Sequence, residues 1–385
     1  MIIIHICLFI SQTHPNKNLY LNVGGVESQI LQLLPSYEKI KDLHISIITQ
    51  YSEYEPISNR VKIYNVHKFE RFILDTIYYI IKSFFQILKI HKKKPINVLN
   101  THQLSFVLIS PILIRMFFKI PILMKLPLDF ESVIRDSSYG TVKLKLYRYS
   151  WFKFLRRFVL KRIDFIRSIN ELMVKQLRDR NYPIERILRI PNGINSKDFI
   201  RIEKDKHEEV HFGYVGRLMK FKNLRFLIKV FQEYIAKYPN DKLYIYGRGP
   251  EINFIQNFIY ENKLEKNIIL CGFEKEKVNI YKNIDVLIDP AFAQGISNAN
   301  LEAMCTGTFL IASNVQGNID LVKHRITGLL FNANNKKDLL KQLFTFKKDK
   351  NLVQKIIINA KKEVITNYDI DVVANKIYKY LKSRL

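Results

Sequence analysis

The chain is poor in the residues that mark extracellular, fibrous or disordered proteins. Its 385 residues include 3 cysteines, 13 glycines and 12 prolines. Cys7, Cys271 and Cys305 lie far apart in apolar surroundings, at no zinc-like or redox-like spacing. That excludes a disulfide framework and a cysteine metal site, and reads as three buried thiols in a reducing cytosol. The low Gly and Pro content excludes collagen-like and low-complexity sequence. Uninterrupted membrane-length runs are missing as well. FVLISPILIRMFFKIPILMKL (106–126) comes nearest, but Pro111, Arg115, Lys119 and Pro121 break it, so it reads as a helix followed by a strand. The opening MIIIHICLFI is apolar without a basic leader or a small-residue cleavage site, and reads as a first buried strand.

Acid is scarce too. There are 35 Asp and Glu against 62 Lys and Arg, a formal charge of +27. The imbalance is uneven: residues 1–200 hold 31 basic and 15 acidic side chains, residues 201–385 hold 31 and 20. It peaks in KLKLYRYSWFKFLRRFVLKRIDFIR (143–167), where nine cations interleave with aromatics against Asp164 alone. Such a face suits anionic lipid headgroups or phosphates; a solvated helix is the bland alternative. Nucleic acid is disfavoured as a partner, because no familiar reading module accompanies the charge.

What is present is apolar matter enough for two cores: 48% of residues are hydrophobic, and the length fits two domains. Short apolar runs alternate with helical patterns, the signature of parallel sheets with crossover helices. IIIHICLF (2–9), LHISIITQ (43–50), NVLNTH (97–102), PILMKL (121–126), FIRSIN (165–170) and ILRIPNG (187–193) read as strands of a first α/β domain, residues 1–195. HFGYVGR (211–217), KLYIYGRG (242–249), NIILCGF (267–273), VLIDP (286–290) and TFLIASN (308–314) read as strands of a second, residues 211–366. The polar stretch 196–210 is the expected linker, and 367–385 an expected terminal helix packing back on the first domain.

In doubly wound sheets, ligands collect where strands end and helix amino termini point outward. Glycines stand at such places. Gly24 and Gly25 precede a helix in LNVGGVESQI (21–30); Gly247 lies in YGRGPE (246–251). YVGRLMKFKNL (214–224) adds Arg217 and Lys222 beside a helix start, two cations placed for a diphosphate. In FAQGISNANLEAMCTG (292–307), Gly295 lets the backbone come close, Ser297, Asn298, Ala299 and Asn300 present amides, and Glu302 offers a carboxylate to a vicinal diol such as a ribose. These residue types together suit a nucleotide.

The same residues carry a family resemblance. GRLMKFKN, YGRGPE, SNANLEAMCTGTFLIASNVQGN, HRITGLLF (324–331), RIPNGINSKDF (189–199) and VGGVE together resemble the group 1, or family 4, glycosyltransferases over nearly the whole chain. The resemblance implies a GT-B fold, with two Rossmann-like domains facing a central cleft. It implies that Arg217 and Lys222 bind the donor's diphosphate and stabilise its departure, and that the amides near Asn298 to Asn300 hold phosphate. Glu302 would hold the ribose, with Gly24, Gly25, Gly247 and Phe273 completing the donor surroundings. The family's second acid is replaced here by Gln294, which keeps hydrogen bonding to the donor sugar without charge. A pocket histidine usual after the strand matching PILMKL is absent; His102, in NTHQLSF, resembles another family histidine. Transfer with retention, from a UDP or GDP sugar to a glycan or lipid-linked acceptor at the inner membrane face, needs neither metal nor cofactor on this reading. Two other readings stay open: a non-catalytic nucleotide-sugar-binding protein, and a glycosyltransferase modifying nucleic acid.

Overall fold

The computed structural model describes residues 4–10, 25–49, 55–66, 72–102, 108–126, 158–200, 202–205, 207–292 and 295–385. Successive side chains of an extended strand point to opposite faces. In β1 (Ile4–Ile10), Ile4, Ile6 and Leu8 therefore enter one core and Cys7 another. A strand apolar on both faces needs helices on both. The first sheet is built this way, from β1, β2 (Leu43–Thr49), β3 (Val61–Asn65), β4 (Val98–His102), β5 (Ile122–Leu126), β6 (Phe165–Ser168) and β7 (Ile187–Arg189). All neighbours are parallel, in the order β3-β2-β1-β4-β5-β6-β7. One face is covered by α1 (Gly25–Glu38), the other by α2 (Phe72–Lys93), α3 (Ile109–Phe118) and α4 (Glu171–Arg178).

The second sheet joins β8 (His211–Val215), β9 (Lys242–Tyr246), β10 (Ile268–Gly272), β11 (Val286–Asp289), β12 (Phe309–Ser313) and β13 (Leu329–Phe331), in the parallel order β10-β9-β8-β11-β12-β13. Phe309 and Ile311 of β12 face one core, Leu310 and Ala312 the other. Its helices are α5 (Leu224–Ile235), α6 (Ile252–Glu261), α7 (Lys277–Asn283), α8 (Asn298–Thr306), α9 (Gln316–Leu321), α10 (Lys336–Lys348) and α11 (Lys350–Asn367). α5 shows why they pack: Leu224, Leu227, Ile228, Phe231 and Tyr234 form one buried stripe at helical spacing, each worth ~1.5–3 kcal/mol of transfer free energy.

The chain divides into two compact units, one reaching Gly193 and resuming at Ile370–Leu385, the other Ile194–Asp369. Residues 196–210 belong to the second: Ile194 and Phe199 enter its core, and Lys204 donates to the Ile284 carbonyl at 2.6 Å. Its two ends are tied together by the Ile194 amide donating to the Tyr368 carbonyl at 3.0 Å and by Ser196 bonding the Asp369 carboxylate. The final helix, α12 (Ile370–Arg384), buries Ile370, Val373, Ala374, Ile377 and Leu381 in the core of the first unit under α1.

Two strands went unnoticed in the sequence, β3 and β13, both at sheet edges. Cys271 corrects the expectation of three buried thiols: it is exposed on the edge strand β10, whereas Cys7 and Cys305 are buried. Among the described residues no helix is long and apolar enough to cross a membrane; the 106–126 stretch forms α3 and β5. Replacing Ile377, which is 1% exposed, by Ala is expected to destabilise the first unit by about 2–5 kcal/mol, seen as an earlier urea transition by circular dichroism.

Candidate active site

In the second sheet the strand order reverses between β8 and β11. Ligands of open α/β sheets bind at such a switch point, outside the strands' carboxyl ends. The segments leaving those two ends, 216–223 and 290–297, are the ones carrying Arg217, Lys222, Gly295 and Ser297. Backbone bonds hold them in place. Gly216 donates to the Tyr246 carbonyl (3.0 Å), Leu218 to that of Arg248 (2.9 Å), and Glu251 to that of Leu218 (3.1 Å). Gly247 sits inside this seam at φ +146°, where an added Cβ would lie 1.8 Å from the Gly216 carbonyl oxygen. The requirement for glycine there comes from the chain's own backbone. The second segment is stitched to the first by Phe292 donating to the Phe221 carbonyl (3.1 Å) and Asn223 Nδ2 to that of Pro290 (3.1 Å).

The charges follow from this frame. Arg217 is exposed and Lys222, closing a 3-10 turn over Lys220–Lys222, is half-buried. Burial draws the Lys222 ammonium below its ordinary pKa; Asp289 raises it again and Arg217 lowers it. The two cations are close enough for each to feel the other's charge. On the segment leaving β11, α8 begins at Asn298, with Ser297 at the cap position but no side-chain cap hydrogen bond. The first amides of a helix have no acceptor within it, so Asn298, Ala299 and Asn300 present the positive end of α8.

Asp289, at the end of β11 and 5% exposed, fixes that helix start. It accepts from Asn300 Nδ2 (2.7 Å) and from the Ala291 amide (3.3 Å). Asn300 Nδ2 also reaches Asn318 Oδ1 (2.9 Å), and Asn318 donates to the Ser313 carbonyl (3.1 Å). The Asn300 side chain is thus turned inward, and the residue is 1% exposed.

Glu302 lies one turn further on and is 2% exposed. Lys277 of α7 donates to its Oε1, and Tyr281 to Oε2 at 2.9 Å. Burial first, and Glu302 second, lift the Tyr281 phenol well above its ordinary pKa. An ionised carboxylate has about four acceptor positions, so two remain beyond these partners. Phe273 stands half-exposed after β10, 5.9 Å from the Arg248 guanidinium.

The structure therefore gathers Arg217, Lys222, Gly295, Ser297, Asn298, Ala299 and Asn300 around one switch point, with Gly247 in its supporting seam. His102 and Gly25 lie in the other unit, His102 closing β4 and Gly25 opening α1. Gly24, Gln294 and most of the basic run 143–167 lie outside the described residues. Sequence reasoning missed Asp289, Lys277, Tyr281 and Asn318; a lone acid closing the apolar strand VLID was the available signal for the first.

Two doubly wound parallel units of this kind make a GT-B fold. Residues 195–363 match the description "Glycosyl transferases group 1", and residues 23–198 match "Glycosyltransferase Family 4". The chain belongs to this glycosyltransferase family. An uncharacterized glycosyltransferase of Methanocaldococcus jannaschii is 26% identical over 211 residues, 51% of this chain and 54% of that protein; the match thus spans about half that relative's length. The UDP-Gal:alpha-D-GlcNAc-diphosphoundecaprenol alpha-1,3-galactosyltransferase of Escherichia coli is 27% identical over 307 residues, 75% of this chain and 76% of its own. The Anabaena HepE structure in complex with UDP and glucose superimposes with a TM-score of 0.74 at 14% identity, covering 98% of this chain and 99% of that one.

Asn300→Ala would leave the buried Asp289 carboxylate short of a donor, and is expected to cost about 1–3 kcal/mol or more, measured by chemical denaturation of the full chain.

Proposed function

We propose that the protein is a retaining glycosyltransferase moving a sugar from a UDP or GDP carrier to a glycan or lipid-linked acceptor. The observation that carries this reading is the meeting, at one switch point, of Arg217 and Lys222 with the amino terminus of α8. The two cations hold the diphosphate and the α8 amides a phosphate oxygen; Glu302 uses its remaining acceptor positions on the ribose. The glycosidic bond to phosphate breaks as the sugar bonds to the acceptor oxygen on the same face, and the acceptor's proton passes to the departing phosphate. No protein nucleophile takes part. Rate enhancement comes from positioning and from charge stabilisation at the phosphate oxygens, which Arg217, Lys222 and the helix end supply without metal. Gln294, where the family normally carries an acid, hydrogen-bonds the donor sugar. Relatives named for capsular polysaccharide biosynthesis and for transfer to a diphosphoundecaprenol-linked sugar support the acceptor class.

A surface of the first unit favours an acceptor at a membrane. Ile77, Ile81 and Phe85 form an exposed stripe along α2, and Met116, Phe117 and Phe118 are exposed on the adjoining α3, with Phe117 71% accessible. Lys82, Lys89, Lys92, Lys93 and Lys119 surround them, all exposed. Apolar side chains rimmed by cations match the interface of an anionic bilayer, and this face replaces the 143–167 run as the argument for peripheral binding.

A thermal-shift panel of nucleotide sugars should identify the base through ligand-linked stabilisation. In calorimetry with the nucleotide diphosphate found, Arg217→Ala and Lys222→Ala are each expected to weaken binding by about 1.5–3 kcal/mol; unchanged affinity in both would place the phosphates elsewhere. In liposome sedimentation, Phe85→Ser with Phe117→Ser is expected to weaken binding to anionic vesicles about tenfold or more, since inserting a phenyl ring is worth ~1.5–3 kcal/mol. Equal sedimentation of wild type and variant would remove this face from membrane contact.

A further inference from the structure

Three adjacent strands of the first sheet carry a basic side chain at one level. The register pairs His102 of β4 with Lys125 of β5, and Lys125 with Arg167 of β6. In-register parallel neighbours point to the same face about 4.8 Å apart, so the three side chains stand in a row. Strands buried on both faces usually read as unbroken apolar runs. ILMKL and FIRS break that rule with Lys125 and Arg167, which are 2% and 3% exposed.

Arg167 is anchored through Nε to the Ile190 carbonyl (3.0 Å) and through Nη2 to that of Pro191 (2.5 Å). Its other guanidinium hydrogens remain for something else, since the group has five. Among the described residues, Lys125 has neither a carboxylate nor a hydrogen-bond acceptor within reach. Around it, Asn100 Oδ1 and His102 Nδ1, on the same face of β4, are buried without partners. Burial holds both Lys125 and His102 well below their ordinary pKa; the neighbouring cations add to this, Lys125 and Arg167 on His102, Arg167 on Lys125. Among the described residues, the charged groups acting on these three include the Tyr37 phenol of α1, beside Arg167, and no acid.

An uncompensated buried cation costs several kcal/mol, and a cluster of orphaned polar atoms in a native structure calls for a missing partner. The place is the carboxyl end of the first sheet, where its strand order reverses between β1 and β4. β1 ends at that edge and α1 runs back to the start of β2, so the positive end of α1 at Gly25 points there too.

We propose that His102, Lys125 and Arg167 form a binding site for an oxyanion, a phosphate or carboxylate carried by the acceptor. Lys125 supplies the charge, Arg167 its remaining N–H donors, and neutral His102 a hydrogen bond through a ring nitrogen. The assignment to the acceptor rests on the transferase reading; the anion site does not.

The test uses the full chain with the donor site saturated by UDP or GDP, so that added anions must bind elsewhere. Inorganic phosphate, glycerol phosphate and glucuronate are titrated while unfolding temperature is followed. Wild type is expected to be stabilised by at least one of them, the phosphates and glucuronate separating the two sources of the charge. Lys125→Met, which keeps the side chain's bulk, is expected to unfold at a higher temperature than wild type without anion, to lose at least tenfold in anion affinity, and to bind the nucleotide as before. His102→Gln, at a less buried position, should weaken the anion at least threefold and serves if the first variant does not fold. No stabilisation of wild type by any of the three anions, or an undiminished response in the variants, would overturn the site. If neither nucleotide binds but the Lys125-dependent anion response persists, the transferase reading falls and the anion site stands.

Discussion

The buried carboxylate of Asp289 is the constraint from which the candidate site of the second unit is assembled. It terminates β11, receives the Asn300 side chain from the first turn of α8, and lies close enough to Lys222 to favour its charged form. One acid thereby orients a helix end and partly offsets the burial that lowers the pKa of a cation on a different segment. Through Asn300 the same acid reaches Asn318 and then Ser313, so the ends of β11 and β12 are locked to the start of α8 and to α9. A carboxylate so enclosed is costly without hydrogen-bond donors, which Asn300 and Ala291 supply. The network therefore holds the first turn of α8 in place.

Much of this architecture was legible in the sequence, and the exceptions have physical causes. Strands apolar on both faces announce themselves as short runs between turn residues, which is why VLID and FLIAS could be placed. β3 faces solvent along most of VKIYN and β13 has only the three residues LLF; neither supplies a run long enough to stand out. Within the site, Arg217 and Lys222 were visible because strand, glycine and cation follow one another locally. Glu302 was visible too, but Lys277 and Tyr281, 25 and 21 residues earlier, were not. No local pattern joins a carboxylate to donors on another helix; only the fold does.

The two units use positive charge differently. In the second, Arg217 and Lys222 are exposed and half-buried, respectively, and arise from the segment after β8. In the first, Lys125 and Arg167 are set into strands and nearly wholly enclosed, where rotamer freedom is small. The excess of base over acid in residues 1–200 is thus only partly a solvated coat. Some of it is interior, and some rims the exposed apolar side chains of α2 and α3.

Because the amide of Ile194 meets the carbonyl of Tyr368, the segment between them leaves and rejoins the rest of the polypeptide at almost one point. Topologically it is a cassette: a self-contained insertion with abutting ends, whose removal or exchange leaves only a short gap to close. An ancestral recombination event could replace the second unit wholesale and leave the remainder's hydrophobic interior, α12 included, undisturbed. Chimeras joined at this seam are accordingly the natural route for exchanging one unit without the other.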